Sequence, residues 1–171
     1  MPDQEKEIEA ALRYLTQHVQ VVVVTGGLGS TGDDLTARAA ARASGQRLAI
    51  NEQALEMVRD WFRRRNRKME PSNERQALLP FEARPLPNTL GTAPGFRLTH
   101  DSCELFFLPG VPSEMKAMFE QLVIPALQKL HPPAAARQQR TFKLFGLPEP
   151  KADAMIPYAK LPQGVEVAFA L

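Results

Sequence analysis

Of the 171 residues only one is cysteine and three are histidine. A lone Cys103 excludes an internal disulfide and fits a reducing, cytoplasmic setting; in its apolar stretch it reads as a small buried hydrophobe. His18, His100 and His131 are scattered along the chain, which argues against a histidine metal site or a Ser-His-Asp triad. Aromatic residues make up 7% and the net charge is +2, too little of either to imply nucleic acid. The densest basic run, Arg63 to Lys68, carries no interleaved aromatics and suits the C-terminal end of a helix. No apolar run approaches the length of a membrane span and no signal peptide is visible. The expectation is a soluble cytoplasmic chain with neither nucleic acid nor membrane as partner.

At 44% hydrophobic, the sequence can close one good core with a small appendage. Ile8, Leu12 and Leu15 predict an amphipathic helix over 3–16, followed by a strand over 19–24. Val21 to Val24 form a β-branched run of the kind buried on both faces of a parallel sheet. Gly26, Gly27, Gly29 and Gly32 follow, and residues 33–44 have helix-forming composition ending at Gly45. Asn51 is placed to cap a helix whose stripe is Leu55, Val58 and Phe62. Ser72 is placed to cap a short helix running to Leu79. Residues 84–96 are too rich in proline and glycine for regular structure. Strands over 96–100 and 103–108 are joined by the Asp101-Ser102 turn, and Pro109 to Glu114 make a second strand-to-helix junction. Met115, Met118, Phe119, Leu122 and Val123 mark the buried face of the helix beyond it. Residues 131–139 read as a linker, with strand candidates at 140–145 and 165–170 in the tail. Strands alternating with helices indicate an α/β layer fold, whose ligands bind beyond the carboxyl ends of the strands.

A strand, a glycine-rich turn and a helix start present unpaired amide groups to an anion. Asp33 and Asp34 stand beside this cradle. Like charges about 4 Å apart near a surface oppose one another by roughly 4 kcal/mol, so a phosphorylated ligand there calls for a divalent cation between them. A helix cap is the competing role for one aspartate, but a cap needs only one. The spacing is neither the G-x-G-x-x-G nor the G-K-[ST] type.

Three ordered motifs carry a family resemblance: Thr25-Gly26-Gly27-Leu28-Gly29 with Asp33-Asp34-Leu35-Thr36, the loop Asn88 to Phe96, and Leu108-Pro109-Gly110-Val111-Pro112-Ser113-Glu114-Met115-Lys116. They resemble the N-terminal domain of the competence/damage-inducible CinA family, a relative of the MoaB/Mog molybdopterin-binding domains. The resemblance covers residues 1–131; residues 132–171 resemble a linker and the start of the CinA middle domain. It implies a three-layer α/β/α, Rossmann-like fold with a mostly parallel sheet, binding a nucleotide or pterin phosphate as its small-molecule partner. CinA-type domains are associated with metal-dependent ADP-ribose pyrophosphatase activity, and the molybdenum-cofactor relatives adenylylate molybdopterin. A divalent metal, Mg or Co, is implied at Asp33 and Asp34, which would be both metal ligands and catalytic residues.

By the same resemblance, Gly26, Gly27 and Gly29 approach phosphate through their backbones, with Thr25, Ser30 and Thr31 on the same loop. Pro109, Gly110 and Ser113 form a facing wall. Gly91, Thr92 and Gly95 belong to a loop that closes over the ligand. Lys116 is open between a phosphate contact and a solvated helix lysine, and Thr36 and Thr92 between ligand contact and ordinary hydrogen bonding. Homo-oligomers are common among such domains. The family pattern also has a strand, helix and strand with a Gly-Asp-Glu motif ahead of residue 1, a complete middle domain and a C-terminal amidohydrolase domain. Their absence here leads to the expectation that catalysis suffers more than binding, and that the 19–24 strand lacks one neighbour. A non-catalytic binding module and a pterin adenylyltransferase are the alternatives to a pyrophosphatase.

Overall fold

The computed structural model describes residues 4–130 and 139–169, in two compact units, Met1–Pro132 and Pro133–Leu171. In the first unit, the apolar spacing of Ile8, Leu12 and Leu15 produces α1 (Glu5–His18), two residues beyond the expected end. Then come β1 (Val21–Thr25), α2 (Thr36–Ala43), β2 (Leu48–Ile50) and α3 (Glu52–Arg64). Asn51 caps α3 as expected, its side chain accepting from the Ala54 N–H at 3.0 Å. β3 (Leu78–Pro80), β4 (Arg84–Leu86), β5 (Gly95–His100) and β6 (Cys103–Leu108) follow, and α4 (Pro112–Met118) runs through a π-helical turn into α5 (Ile124–Leu130).

The main sheet has the order β1-β6-β5-β4, and β2 and β3 form a separate antiparallel ribbon. The α/β class holds, but the sheet is mixed rather than mostly parallel: β1–β6 is its one parallel pair among the described residues, and β5–β6 and β4–β5 are antiparallel. The turn explains this. Asp101 (φ 49°) and Ser102 (φ 64°) adopt the geometry of a two-residue primed hairpin, which delivers an antiparallel neighbour.

Alternation along β6 then builds the layers. Cys103, Leu105 and Phe107 face a core with Leu12 of α1, Ala40 of α2 and Leu55 of α3; Phe106 and Leu108 face Met118 and Val123. The expected methionine-bearing stripe is thus packing, and Cys103 is fully buried, its thiol pushed up in pKa by desolvation and by Glu104. β1 lies at the edge of the described sheet, in line with the expected lack of one neighbour, but it is not buried on both faces as its β-branched run suggested: Val23 is 38% exposed.

Four further expectations are corrected. The second helix starts at Thr36, not Asp33, because the Thr36 hydroxyl and N–H bond back to Gly26 and Gly27. The 72–79 segment is a 3-10 helix (Pro71–Ala77) opened by Glu70 and Asn73 rather than by Ser72, and Leu78–Pro80 are drawn into strand pairing with β2. Residues 84–86 form an edge strand despite Pro85, since an edge tolerates a missing donor. In the second unit, residues 140–145 and 165–169 form no strand, having no partner strand among the described residues; Phe145 there is 92% exposed. Its regular structure among the described residues is α6 (Glu149–Ala154) and a 3-10 turn. The expected boundary at 131/132, most of the linker and residue 170 lie outside the described residues. No described helix is long and apolar enough to cross a membrane.

Candidate functional site

Because β1 and β6 are parallel neighbours, both glycine-bearing junctions leave the same sheet edge. The Gly26 N–H donates to the Leu108 carbonyl at 2.9 Å, and Gly110 backs directly onto Gly26. α2 is tied to the loop from its own first residue: the Thr36 hydroxyl donates to Gly26 O at 2.9 Å and its N–H to Gly27 O at 3.3 Å. Between these anchors, the N–H groups of Gly27, Leu28, Gly29, Ser30 and Gly32 have no partner among the described residues. That is an array of donors suited to an anion.

Neither aspartate caps α2, whose N-cap is Leu35. Instead both carboxylates converge on Thr31. Asp34 Oδ2 accepts from the Thr31 N–H at 2.9 Å and lies 2.7 Å from Thr31 Oγ1, while Asp33 Oδ1 lies 2.5 Å from that same hydroxyl. A hydroxyl carries one hydrogen, so one of these two O···O contacts sets acceptor against acceptor. A cation among the three oxygens relieves that conflict, and two carboxylates with a hydroxyl are hard donors of the type Mg²⁺ takes alongside water and phosphate. In donor type, though not in number of acidic side chains, these residues match a divalent ion. Among the described residues no group of three or more His, Cys, Asp or Glu side chains is arranged to hold one. The Thr31 hydroxyl, with help from its own backbone N–H, holds the Asp33 carboxyl below the usual carboxylate range. A Cβ at Gly29 would collide with the Asp34 carboxylate and push it from its place beside Thr31.

The loop opens into a cavity of about 380 Å³. Gly27, Gly29, Thr31 and Asp34 of the expected site line it; Leu48, Leu78 and Leu79 from the β2–β3 ribbon, with Arg38, Arg75 and Gln76, form other parts of its wall. Arg38 keeps an ion pair with Glu5 at 3.4 Å, whereas the Arg75 side chain has no partner among the described residues. Gln76 is 7% exposed. Its Nε2 donates to Thr92 Oγ1 at 3.0 Å and its Oε1 is buried without a partner. An orphaned buried acceptor costs about 1–3 kcal/mol until something donates to it.

The remaining expected residues are not among those lining this cavity. Thr25 ends β1, exposed, and Ser30 is half-buried in the loop. Gly91 lies against the Glu114 carboxylate, and Gly95 is a β5 position packed under Phe107 O and Met118. Pro109 is buried; Ser113 and Lys116 are exposed on α4. Asn88 ties the 87–94 loop to the second junction, donating to Ala93 O and to Glu114 Oε2. Arg75 and Gln76 escape a reading of the sequence because the β2–β3 pairing that carries them to the glycine loop is non-local. Arg38 was open to detection, four residues beyond Asp34.

Residues 1–129 match the family model described as the probable molybdopterin binding domain. The chain is 52% identical over 169 residues to a CinA-like protein of Syntrophotalea carbinolica, covering 99% of this chain and 41% of that one. It is 53% identical over 147 residues to a CinA-like protein of Geobacter sulfurreducens, covering 86% and 36% respectively. The chain thus spans about two fifths of the length of these curated relatives. Among solved structures it is similar to the protein CinA, of unknown function, from Thermoplasma acidophilum: 35% identity, TM-score 0.64, covering 74% of this chain and 71% of that one.

Proposed function

The chain belongs to the probable molybdopterin binding domain family, on its CinA-like branch, and from that premise we propose that it binds a nucleoside diphosphate sugar such as ADP-ribose and hydrolyses its pyrophosphate with a divalent metal. The observation that carries this reading is the placement of five unpartnered loop amides beside two carboxylates that share one hydroxyl hydrogen.

The diphosphate takes the amides of Gly27, Leu28, Gly29 and Gly32, which line the cavity. Hydrogen bonds to a charged group contribute about 1.5–3 kcal/mol each, so three or four hold it. Arg38 and Arg75 add positive charge at the cavity wall, and Leu48, Leu78 and Leu79 offer an apolar surface to the nucleoside. Asp33, Asp34 and Thr31 would hold Mg²⁺ or Co²⁺, which when bound supplies Lewis-acid polarisation of a phosphoryl oxygen and a more acidic water. Unpartnered loop amides are the kind of donor that stabilises charge as it develops on a phosphoryl group.

The test is calorimetry with ADP-ribose and Mg²⁺ or Co²⁺, followed by an assay for AMP release. Metal-dependent release supports a pyrophosphatase. Binding without release would assign a ligand-binding module, and an adenylylated pterin formed from ATP would assign the molybdenum-cofactor reaction instead.

A further inference from the structure

Gln76 has a feature that the phosphate chemistry leaves unused. Its side chain is buried from the 3-10 helix Pro71–Ala77 into the cavity wall, next to Leu78 and Leu79 and away from the run of loop amides in sequence. Nε2 is committed to the Thr92 hydroxyl at 3.0 Å, which sets the plane of the amide, and Oε1 has neither a protein partner nor exposure to water. A buried acceptor left without a partner is satisfied only by a donor that reaches it from the cavity.

We propose that Gln76 is a specificity-determining residue that accepts a hydrogen bond from the nucleoside half of the ligand. This rests on the nucleoside diphosphate reading above and deepens it. The apolar surface of Leu48, Leu78 and Leu79 takes the flat face of a base, the cations and amides take the diphosphate, and Gln76 Oε1 reads a donor on the nucleoside. Two groups carry that chemistry: the exocyclic amine of adenine and a ribose hydroxyl. A site built around an unpaired acceptor rejects a ligand that lacks the donor, because the acceptor then stays buried and unsatisfied.

The experiment is a set of calorimetric titrations in the presence of Mg²⁺, using ADP-ribose, inosine diphosphate ribose, the analogue deoxygenated at the adenosine 2′ position, and inorganic pyrophosphate. Wild type binds ADP-ribose about ten-fold more tightly than one of the two nucleoside analogues. Loss with the inosine analogue assigns the amine, and loss with the deoxy analogue assigns the hydroxyl. Gln76→Met weakens ADP-ribose by about the same factor and erases the preference, leaving pyrophosphate unchanged. Gln76→Glu keeps an acceptor and keeps the preference. Equal affinity of wild type for all three nucleoside ligands overturns the proposal, whatever the variants do. So does a Gln76→Met loss that falls equally on pyrophosphate, which is the signature of a tie to Thr92 and nothing more. Discrimination without AMP release would leave this inference standing while removing the pyrophosphatase; release with no discrimination would do the reverse. Wild type that binds none of these ligands removes both.

Discussion

Gly26 and Gly110 meet backbone to backbone: a Cβ on Gly110 would stand 3.3 Å from the Gly26 Cα. The two strand-to-helix junctions are thereby locked as one unit. Alanine tests the contact in two ways. At Gly110 it must push the first junction by a few tenths of an ångström. At Gly26 the space is adequate, with 4.0 Å to the Gly110 Cα, but φ is +93°, which a Cβ disfavours. Gly26→Ala is expected to destabilise by about 1–2 kcal/mol in urea unfolding. Gly110→Ala is expected to cost less stability but to weaken ADP-ribose binding through the displaced loop. A Gly26→Ala protein as stable as wild type would show that the turn relaxes freely.

Asp33 is exposed, so Asn there is expected to change stability by no more than about 0.5 kcal/mol, and Asn at the half-buried Asp34, which keeps an acceptor for the Thr31 N–H, by about 1 kcal/mol at most, while each removes most of the metal-dependent turnover. Unchanged turnover in both variants would exclude them as metal ligands. The pH dependence follows from the sign of the Asp33 shift. Its carboxyl is held below the ordinary 3.8, so it stays ionised throughout the mildly acid range. Any contribution it makes to metal affinity is fully present above that value and is lost as pH falls through the folded one. Mg²⁺ titrations should therefore show no weakening attributable to Asp33 between neutrality and about pH 5.

The local signals in the sequence were sufficient where structure is local. Asn51 caps α3, the Asp101-Ser102 turn makes its hairpin, and the alternation of Leu105 to Leu108 separates two cores. What escaped was set by pairing at a distance. Pro80 suggested the end of a helix, yet Leu78–Pro80 became a strand because β2 lies opposite. Pro85 suggested a loop, yet Arg84–Leu86 found β5. The candidate site divides in the same way. Its glycines and acids lie in one contiguous stretch, whereas Arg75 and Gln76 reach it only through the β2–β3 ribbon.

Asn88 uses all of its hydrogen-bonding capacity, three bonds on the loop that follows it and one on α4. Oδ1 accepts from Leu90 N at 3.1 Å and Gly91 N at 2.9 Å, while Nδ2 donates to Ala93 O at 2.9 Å and to Glu114 Oε2 at 2.8 Å. Asn88→Ala is expected to cost about 2–3 kcal/mol, at roughly 1 kcal/mol per neutral bond after allowing water to satisfy some partners. Hydrogen exchange should show the amides of Leu90 and Gly91 losing protection first. Asn88→Asp should be worse than its size suggests, since it replaces a donor to Glu114 with a second carboxylate.

Glu104 on β6 and Arg97 on β5 form the most enclosed ion pair among the described residues, at 2.7 Å with side chains 12% and 25% exposed, and the Thr99 hydroxyl donates to the other carboxylate oxygen at 2.8 Å. Desolvation is the largest influence on the Glu104 carboxyl and raises its pKa. The hydrogen bonds from Arg97 and Thr99 and the charges of Arg97 and Arg84 together outweigh it, so the net shift is downward from 4.5. A depressed folded value means the stabilisation is complete above 4.5 and disappears as pH falls through the folded value. Removing one partner of a partly enclosed pair leaves the other charge short of solvation, and Arg97→Met is expected to cost about 1–2 kcal/mol at neutral pH. Glu104→Gln should flatten the acid limb of a stability-against-pH curve measured from pH 6 down to about 3. If wild type and Glu104→Gln lose stability in parallel over that range, the acid sensitivity of this fold resides in other carboxylates.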